Sequence, residues 1–536
     1  MKIKFKELAP QQKEYIRSIY ILDITHSEKM DILSTKFGIT PRTVRSWWKK
    51  LDLQKVDTKL PTQLKDARNR EISSDADIIL VTSCQNKTQI NQDMLLNMKS
   101  YANYIEREFD KSVEIVIIPS RYRNPTSLVE ANSSKDKAEQ WWVDEAQPYL
   151  YYNKLYFGDT LIAADARINP TASNPLNGYE ALASENHLLL PHPRIHTKTL
   201  PRFKGGALRL MTTTGFLSRK NYSDSKSGNL GYIHHSYGFV VVEKDSETNK
   251  CLPPRAVKVK DDGSFTDINK EVRGEMVSKL DSVPAFVLGD IHHRELDTDF
   301  MAVTASLLKD VKPEQVIMHD LLDASSFNHH EKDDLYIRKK KIKDGKYLIN
   351  EEINEALEFA HHFQVNFDTD VVVVQSNHDD FIEHLINRGD WKKDLHNSES
   401  YLELALIQQR QDLEAHGNIF GYLVNNVPND RVRYVKNSSS VNIMGYEVGQ
   451  HGDYGANGAR GNINSFARLN TKMIHGHSHS PQSKNGVTCV GVSCKLWQYY
   501  NSNGMSSWAQ AHSIIHPNGK NQLLIYNDNY ELSYII

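Results

Sequence analysis

Five short apolar runs between residues 286 and 479 each end in Asp, Asn or His, and no other feature constrains the chain as much. The first is Phe286-Val287-Leu288-Gly289-Asp290-Ile291-His292. In an extended segment its Asp290 and His292, two residues apart, share a face. The second is Val316-Ile317-Met318-His319-Asp320-Leu321-Leu322-Asp323, and the third is Val371 to Val374 followed by Gln375-Ser376-Asn377-His378-Asp379. The fourth and fifth are Val448-Gly449-Gln450-His451-Gly452-Asp453 and Ile474-His475-Gly476-His477-Ser478-His479. Of the 23 histidines, 15 lie between His292 and His479. Surface histidines scatter and a core holds few, so repeated placement after apolar strands points to a metal centre. A lone His-x-His is weak evidence, but five clusters in one strand context are hard to obtain by accident.

The order Asp-x-His, Asp-x-x-Asp, Asn-His-Asp, His and Gly-His-x-His resembles the calcineurin-like metallophosphoesterase superfamily, over residues 280 to 500. The resemblance implies one metal on Asp290, His292, Asp320 and His479, and a second on Asp320, Asn377, His451 and His477, with Asp320 bridging. It also implies that His378 acts near the leaving group and that Asp379 orients it. One departure is His319, where the family has a Gly before the bridging Asp, which puts the tight turn there in question. Two divalent ions about 3.5 to 4 Å apart would acidify a shared water, neutralise phosphate oxygens and clamp an in-line displacement. A phosphodiester needs such help because its anionic centre repels a nucleophile. Mixed oxygen and nitrogen donors suit Mn²⁺, Fe or Zn²⁺. Likeness to the SbcD-type DNA-repair nuclease branch makes Mn²⁺ the expected metal.

The chain has 536 residues, too many for one ordinary core, and a scale of about 150 residues per domain suggests three or four units. The fold class expected is α/β multidomain. Residues 1–60 read as a helix-turn-helix-like domain, 61–76 as a linker, 77–270 as an α/β domain of unknown role, and 280–536 as the phosphoesterase domain. For the last, the resemblance implies a four-layer α/β/β/α sandwich. Its strands near 286–289, 316–318 and 371–374 are expected to be buried neighbours, because their apolar runs are nearly continuous.

Hydrophobic residues make up 39% and charged residues 25%, which excludes a fibrous or wholly disordered chain. No apolar run approaches the roughly 20 residues of a bilayer span, so no membrane partner and a cytoplasmic location are expected. The scattered cysteines, Cys84, Cys251, Cys489 and Cys494, read as reduced packing residues. Residues 1–70 hold 16 Lys and Arg against 8 Asp and Glu, a local excess of +8 in a chain of net charge −2. In that segment Gly38 breaks two helical stretches, and Thr40-Pro41 is a favoured helix start. Val44, Trp48 and Leu51 form the packing face of the second helix. Arg42, Arg45, Lys49 and Lys50 face solvent, a set suited to phosphates and base edges. The plain alternative is a helical bundle for packing or self-association.

Further on, Ile78–Val81, residues 91–109 and Val113–Ile118 read as a βαβ unit with a parallel pair. Its Ser83–Thr88 loop occupies a place where open sheets bind ligands. Residues 204–230, with Lys204, Gly205, Gly206, Thr212 to Thr214, Arg219 and Lys220, present phosphate-binding residue types or else a surface loop. The basic run Arg338 to Lys343 puts charge near the clusters, or is simply a solvated segment.

The function expected is a two-metal DNA nuclease whose partner is DNA, with a homo-oligomer left open. Helical start, α/β middle and phosphoesterase end together resemble the pre-early DNA-degradation proteins of T5-like bacteriophages. That likeness implies host DNA as target and the infected bacterial cytoplasm as location. The alternatives are a phosphatase or cyclic-nucleotide phosphodiesterase for small substrates, and a DNA-binding regulator with an inert phosphoesterase-like domain.

Overall fold

The computed structural model describes residues 5–21, 26–51, 53, 70–73, 75–122, 124, 142–245, 247–328, 331, 334–437, 439–498 and 501–533. It is a mixed α/β molecule with four sheets among the described residues. The N-terminal segment forms three helices, Pro10–Ile21, His26–Phe37 and Pro41–Lys50, around a cluster that includes Ile16, Leu33, Phe37, Val44, Trp47 and Trp48. Thr40 caps the third helix by accepting from the Thr43 main-chain N–H at 3.3 Å, with Pro41 at the first turn. Gly38 supplies the left-handed break at φ +59°. Trp47 joins Trp48 on the buried side, which the sequence pattern did not foretell.

The expected linker falls largely outside the described residues, but its end packs. Arg70 donates to the Tyr149 and Ile115 carbonyls and pairs with Glu114. Ile78–Gln85 and Val113–Ser120 pair in parallel around the Gln92–Phe109 helix, as expected for a βαβ unit. That helix is capped by Asn91 and buries Met94, Leu95, Met98, Tyr101, Ala102 and Ile105, the spacing of one helical face. Gly238–Glu243 and Arg255–Lys258 complete this four-stranded sheet.

The site is carried by two larger sheets. The six-stranded one runs Val432–Val435, Asp370–Val374, Pro313–His319, Val283–Val287, Ala511–Ile515 and Asn521–Ile525. Its first four strands are parallel, so the three expected neighbours are adjacent and aligned. Side chains alternate between its faces. Phe286, Leu288, Val316, Met318, Val371 and Val373 pack with Phe300, Leu307, Ile353 and Ala360 of the helices Thr298–Val311 and Ile349–Phe367. Ala285, Val287, Ile317, Val372 and Val374 pack on the other side with Ile443, Tyr446, Val448, Ile474 and Val490. The second cluster joins this sheet to a ten-stranded one.

That sheet mixes distant parts of the chain. Strands between Lys154 and Thr213 continue directly into strands between Asn442 and Cys489 through the pairs Gln482 with Lys198 and Ser483 with Thr197. The expected unit 77–270 is therefore not self-contained. Half of it forms the four-stranded sheet, and half extends the sheet that carries the fourth and fifth clusters. Thr212 and Thr213 are strand residues here, with hydroxyls bonded to Thr197 and to the Arg194 carbonyl, so they do not line a phosphate site. The four cysteines are all free and buried. No helix among the described residues is long and apolar enough to cross a membrane.

Candidate metal centre

Parallel strands deliver their C-terminal ends to one edge, and three of the five clusters begin there. Main-chain bonds then zip the first two loops together: Ile291 N–H to His319 O, His292 N–H to Asp320 O at 2.7 Å, and His293 N–H to Leu321 O. Gly289 permits this descent, since a Cβ there would fall 2.7 to 2.9 Å from the Val492, Ala511 and Gly491 backbone. The ten-stranded sheet brings the other two clusters, with the Gly476 N–H donating to the His451 carbonyl at 2.9 Å. Gly476 has no alternative, because a Cβ would lie 1.9 Å from Asp290 Oδ1. His292, Asp320, His477 and His479 all take left-handed backbone, with φ of 44°, 46°, 72° and 58°. Such conformations cost an L-residue about 1 to 2 kcal/mol each and concentrate where function over-determines the backbone. His319 accordingly does not prevent the turn, since Asp320 itself adopts the positive φ that a glycine would otherwise share.

Of the seven residues assigned to metal by resemblance, Asp290, His292, Asp320 and His479 form one close group, and His451, His477 and Asn377 lie next to it in pairwise contacts. His479 Nε2 is 3.1 Å from Asp290 Oδ2 and 3.1 Å from His292 Nε2, and His292 Nε2 is 3.5 Å from Asp320 Oδ2. At the same Asp320 Oδ2, His451 Nε2 lies 3.2 Å away, while His477 Nδ1 lies 3.1 Å from Asn377 Oδ1. Donors bound to one ion at about 2.1 Å sit about 3.0 to 3.4 Å apart, the edge of a coordination polyhedron. Asp290, His292, Asp320 and His479 are buried and offer atoms within 4.8 Å of one another, a group able to hold a metal ion. Asp290 Oδ1 and Asp320 Oδ1 are buried without a hydrogen-bond partner. Buried carboxylate oxygens of that kind, among imidazoles, fit a cation.

Charge follows the same geometry. Burial would raise the Asp290 and Asp320 carboxyls, but His479 and His451 hold both below the usual carboxylate range. Burial would lower His292 and His451, but Asp320 overrules it and pushes them up to about 9 and about 10. His477, without so close a carboxylate, is brought down to about 4 by burial. A cation entering here would displace protons from imidazoles.

Sequence reasoning assigned no role to Asp323, although it completes the Asp-x-x-Asp motif. Its Oδ1 lies 3.3 Å from His292 Nδ1, behind the ring nitrogen that faces the cluster. A carboxylate so placed fixes ring orientation and tautomer. The Asp323 main-chain oxygen meets His378 Nδ1 at 2.7 Å. This corrects the part expected of Asp379, whose Oδ2 instead accepts from the Ser376 N–H and the Tyr434 hydroxyl. Asp379 is buried, which pushes its carboxyl well up, and it braces the loop below His378. His378 also stacks on Phe381, with ring centroids 5.1 Å apart. Asp453, two residues after His451, has both carboxylate oxygens buried without hydrogen-bond partners, and burial raises its carboxyl.

Arg42, Arg45, Lys49 and Lys50 are exposed along one helix in the N-terminal three-helix cluster, as expected from their spacing. In the basic run, Lys339 and Lys340 are exposed, whereas Lys341 is tied to Glu331 and the Ser325 carbonyl.

No family model matches the chain, and no solved structure matches it. Over 469 residues, 84% of this chain and 82% of the relative, it is 26% identical to Protein A1 of Escherichia phage T5.

Proposed function

We propose that the chain is a two-metal phosphodiesterase of the calcineurin-like type that hydrolyses DNA. The observation that carries this reading is the close group of Asp290, His292, Asp320 and His479, with His451 on Asp320 and the Asn377–His477 pair near it, in which Asp290 Oδ1 and Asp320 Oδ1 are buried without protein partners. Asp290, His292, Asp320 and His479 would hold one ion, and Asp320, Asn377, His451 and His477 the other. Two divalent ions there would supply an activated water and charge neutralisation for an in-line displacement. The chain's own residues do the rest. A carbonyl only accepts, so His378 Nδ1 carries the proton that Asp323 O receives, which leaves Nε2 as the nitrogen able to exchange a proton with the leaving oxygen. Asp323 keeps the His292 ring in place, and the Asp379–Tyr434 hydrogen bond holds the 376–379 loop against the sheet.

DNA is favoured as substrate by the basic N-terminal cluster, read as a helix-turn-helix. Metal analysis together with plasmid cleavage in Mn²⁺, Mg²⁺ and chelator tests the reading. It expects about two ions per chain and cleavage that chelator stops, and a chain that binds no metal would overturn it. Replacing Arg42, Arg45, Lys49 and Lys50 with Ala should flatten the salt dependence of duplex binding, by about 0.9 in logarithmic slope for each phosphate no longer neutralised. Turnover of a small phosphodiester should be spared. Unchanged affinity and slope would make the segment an assembly element.

A further inference from the structure

Beside the seam of the ten-stranded sheet, where Thr197–Thr199 meets Gln482–Lys484, three cations gather and no carboxylate is set against them among the described residues. Arg194 is only 3% exposed, and its Nε is buried without a hydrogen-bond partner. Its backbone is fixed at both ends, the N–H by His192 Nδ1 at 3.1 Å and the carbonyl by the Thr213 hydroxyl. One guanidinium nitrogen donates to the Leu230 carbonyl at 3.3 Å, and the His234 main-chain N–H donates to the same oxygen at 3.2 Å, which puts His234 beside it. Two residues on, His196 Nε2 lies 2.9 Å from Asn485 Oδ1, so this loop reaches the turn that follows Lys484. Lys484 Nζ donates to two neutral amides, Asn174 Oδ1 and Asn464 Oδ1. Arg468, just past the Ile463–Phe466 helix, is exposed. A fourth cation, Lys198, is already neutralised by Glu180.

These groups act on one another. Burial, and then Arg194, Arg468 and Lys198, pull the Lys484 ammonium below its ordinary value. Burial and then Arg194 lower His234. Burial, opposed by the Asn485 hydrogen bond and joined by Lys484, Arg194 and His234, brings His196 down to about 3. Each is pushed toward losing positive charge, which is how cations respond when no anion stands among them. A buried charge is retained where something pairs with it. The Leu230 carbonyl, in the last turn of the Lys226–Ile233 helix, offers only the partial charge of a helix end. A guanidinium with an unmet N–H, beside an ammonium and a second guanidinium, suits a phosphate, whose oxygens take two N–H bonds at once. The seam also bounds the distance to the metal centre. Lys484 follows His479 by five residues, so their backbones are at most about 18 Å apart. About five steps of one duplex strand cover that span at 3.4 Å each.

We infer that this seam binds a backbone phosphate of a nucleic-acid strand, held among Arg194, Lys484 and Arg468, several nucleotides from the bond to be cut. The inference rests on the nuclease reading for its purpose, but its test does not. Binding of a fluorescein-labelled oligothymidylate is measured by anisotropy over a salt series in chelator, where no hydrolysis occurs. Arg468→Gln and Lys484→Gln should each lower the salt slope by about 0.7. Lys309→Gln, an exposed cation on the Thr298–Val311 helix, should leave it unchanged. Arg194→Lys keeps the charge and loses the planar fork, so affinity should fall several-fold with the slope retained. An unaltered slope in Arg468→Gln or Lys484→Gln, or an equal fall in Lys309→Gln, overturns the assignment. Arg468→Gln, at an exposed position, decides should the other two variants fail to fold. Calorimetry with inorganic phosphate separates the sources of the anion. Phosphate ion bound through Arg468, with the oligonucleotide slope unaltered, would make this a free-anion site and overturn the strand. Plasmid cleavage by the unaltered chain is scored separately. Slopes that fall as expected, in a chain that never cuts DNA, would keep the seam site and discard the nuclease.

Discussion

Two places in this chain lie where parallel strands end, and they treat their polar atoms differently. Beyond Ile78–Gln85, Gln85 donates to Thr88 and to the Asn221 carbonyl, Asn221 donates to Thr88, Asn124 donates to Asn221, and Ser83 bonds Thr214 at 2.6 Å. The amides and hydroxyls there answer one another. Beyond Val283–Val287 and Pro313–His319, the Asp290 and Asp320 carboxylates each keep an oxygen buried without a partner. An unmet buried acceptor costs about 1 to 3 kcal/mol, more if charged. A fold keeps that cost where something from outside the chain completes the bond. Topological position alone therefore does not mark a chemical site. Unmet bonding capacity of the right donor type does.

The sharpest way to break the contrast is Asp320→Ala, which removes the one carboxylate assigned to both ions. Bound metal should fall by at least one per chain and phosphodiester turnover by roughly 10³-fold or more. Full metal content with retained turnover would place the centre elsewhere. Next comes His378→Ala, which should leave both ions in place and slow turnover by roughly 10²- to 10⁴-fold. Metal loss in that variant would show His378 to be a ligand.

The quieter strand end should respond in stability alone. Asn221→Ala removes one bond from Thr88 and one from Asn124, and should cost about 1 to 2 kcal/mol in denaturant unfolding while small-ester turnover holds. A selective loss of turnover would show that the self-satisfied end has chemistry after all. The smallest expected effect is a change of pH dependence. Burial pushes the Glu383 carboxyl up from 4.5 to about 7, where it accepts from the Ile419 N–H at 2.6 Å. The folded chain thus holds this proton more tightly than the unfolded one. That contribution is whole below pH 4.5 and is lost as pH rises through about 7. Glu383→Gln keeps an acceptor and carries no charge, so its advantage over the parent should be greater at pH 8 than at pH 5, by on the order of 1 kcal/mol. An equal difference at both values would mean that the carboxyl titrates normally.

Much of the candidate centre was legible because its information is local. A strand that ends in Asp290-Ile291-His292 or Asn377-His378 announces both its burial and its donors within a few residues. The βαβ unit was readable for the same reason, from the apolar stretch of Ile78–Gln85 and the helical spacing of Met94, Met98 and Ile105. Pairings that join remote residues were not readable. Nothing in the three residues Thr197–Thr199 says that they pair with Gln482–Lys484, nor that Ala511–Ile515 lies beside Val283–Val287. Roles carried through a second residue were hidden too. Asp323 reaches His378 through its main chain and His292 through its side chain, a distinction that appears only once the loop is folded.

The ten-stranded sheet has a consequence in time. Thr197 and Lys198 leave the ribosome long before Gln482 and Ser483, their partners across the sheet. At about 5 to 20 residues per second, that edge waits tens of seconds for the strand that covers it. The donors from His292 to His479 also emerge in sequence and meet last at the same sheet. A growing chain thus carries an open edge and an incomplete ligand set together, and closing the one completes the other. Chaperone capture of the nascent chain should peak in this interval, and metal binding should arrive all at once, when the Gln482–Lys484 strand closes the edge.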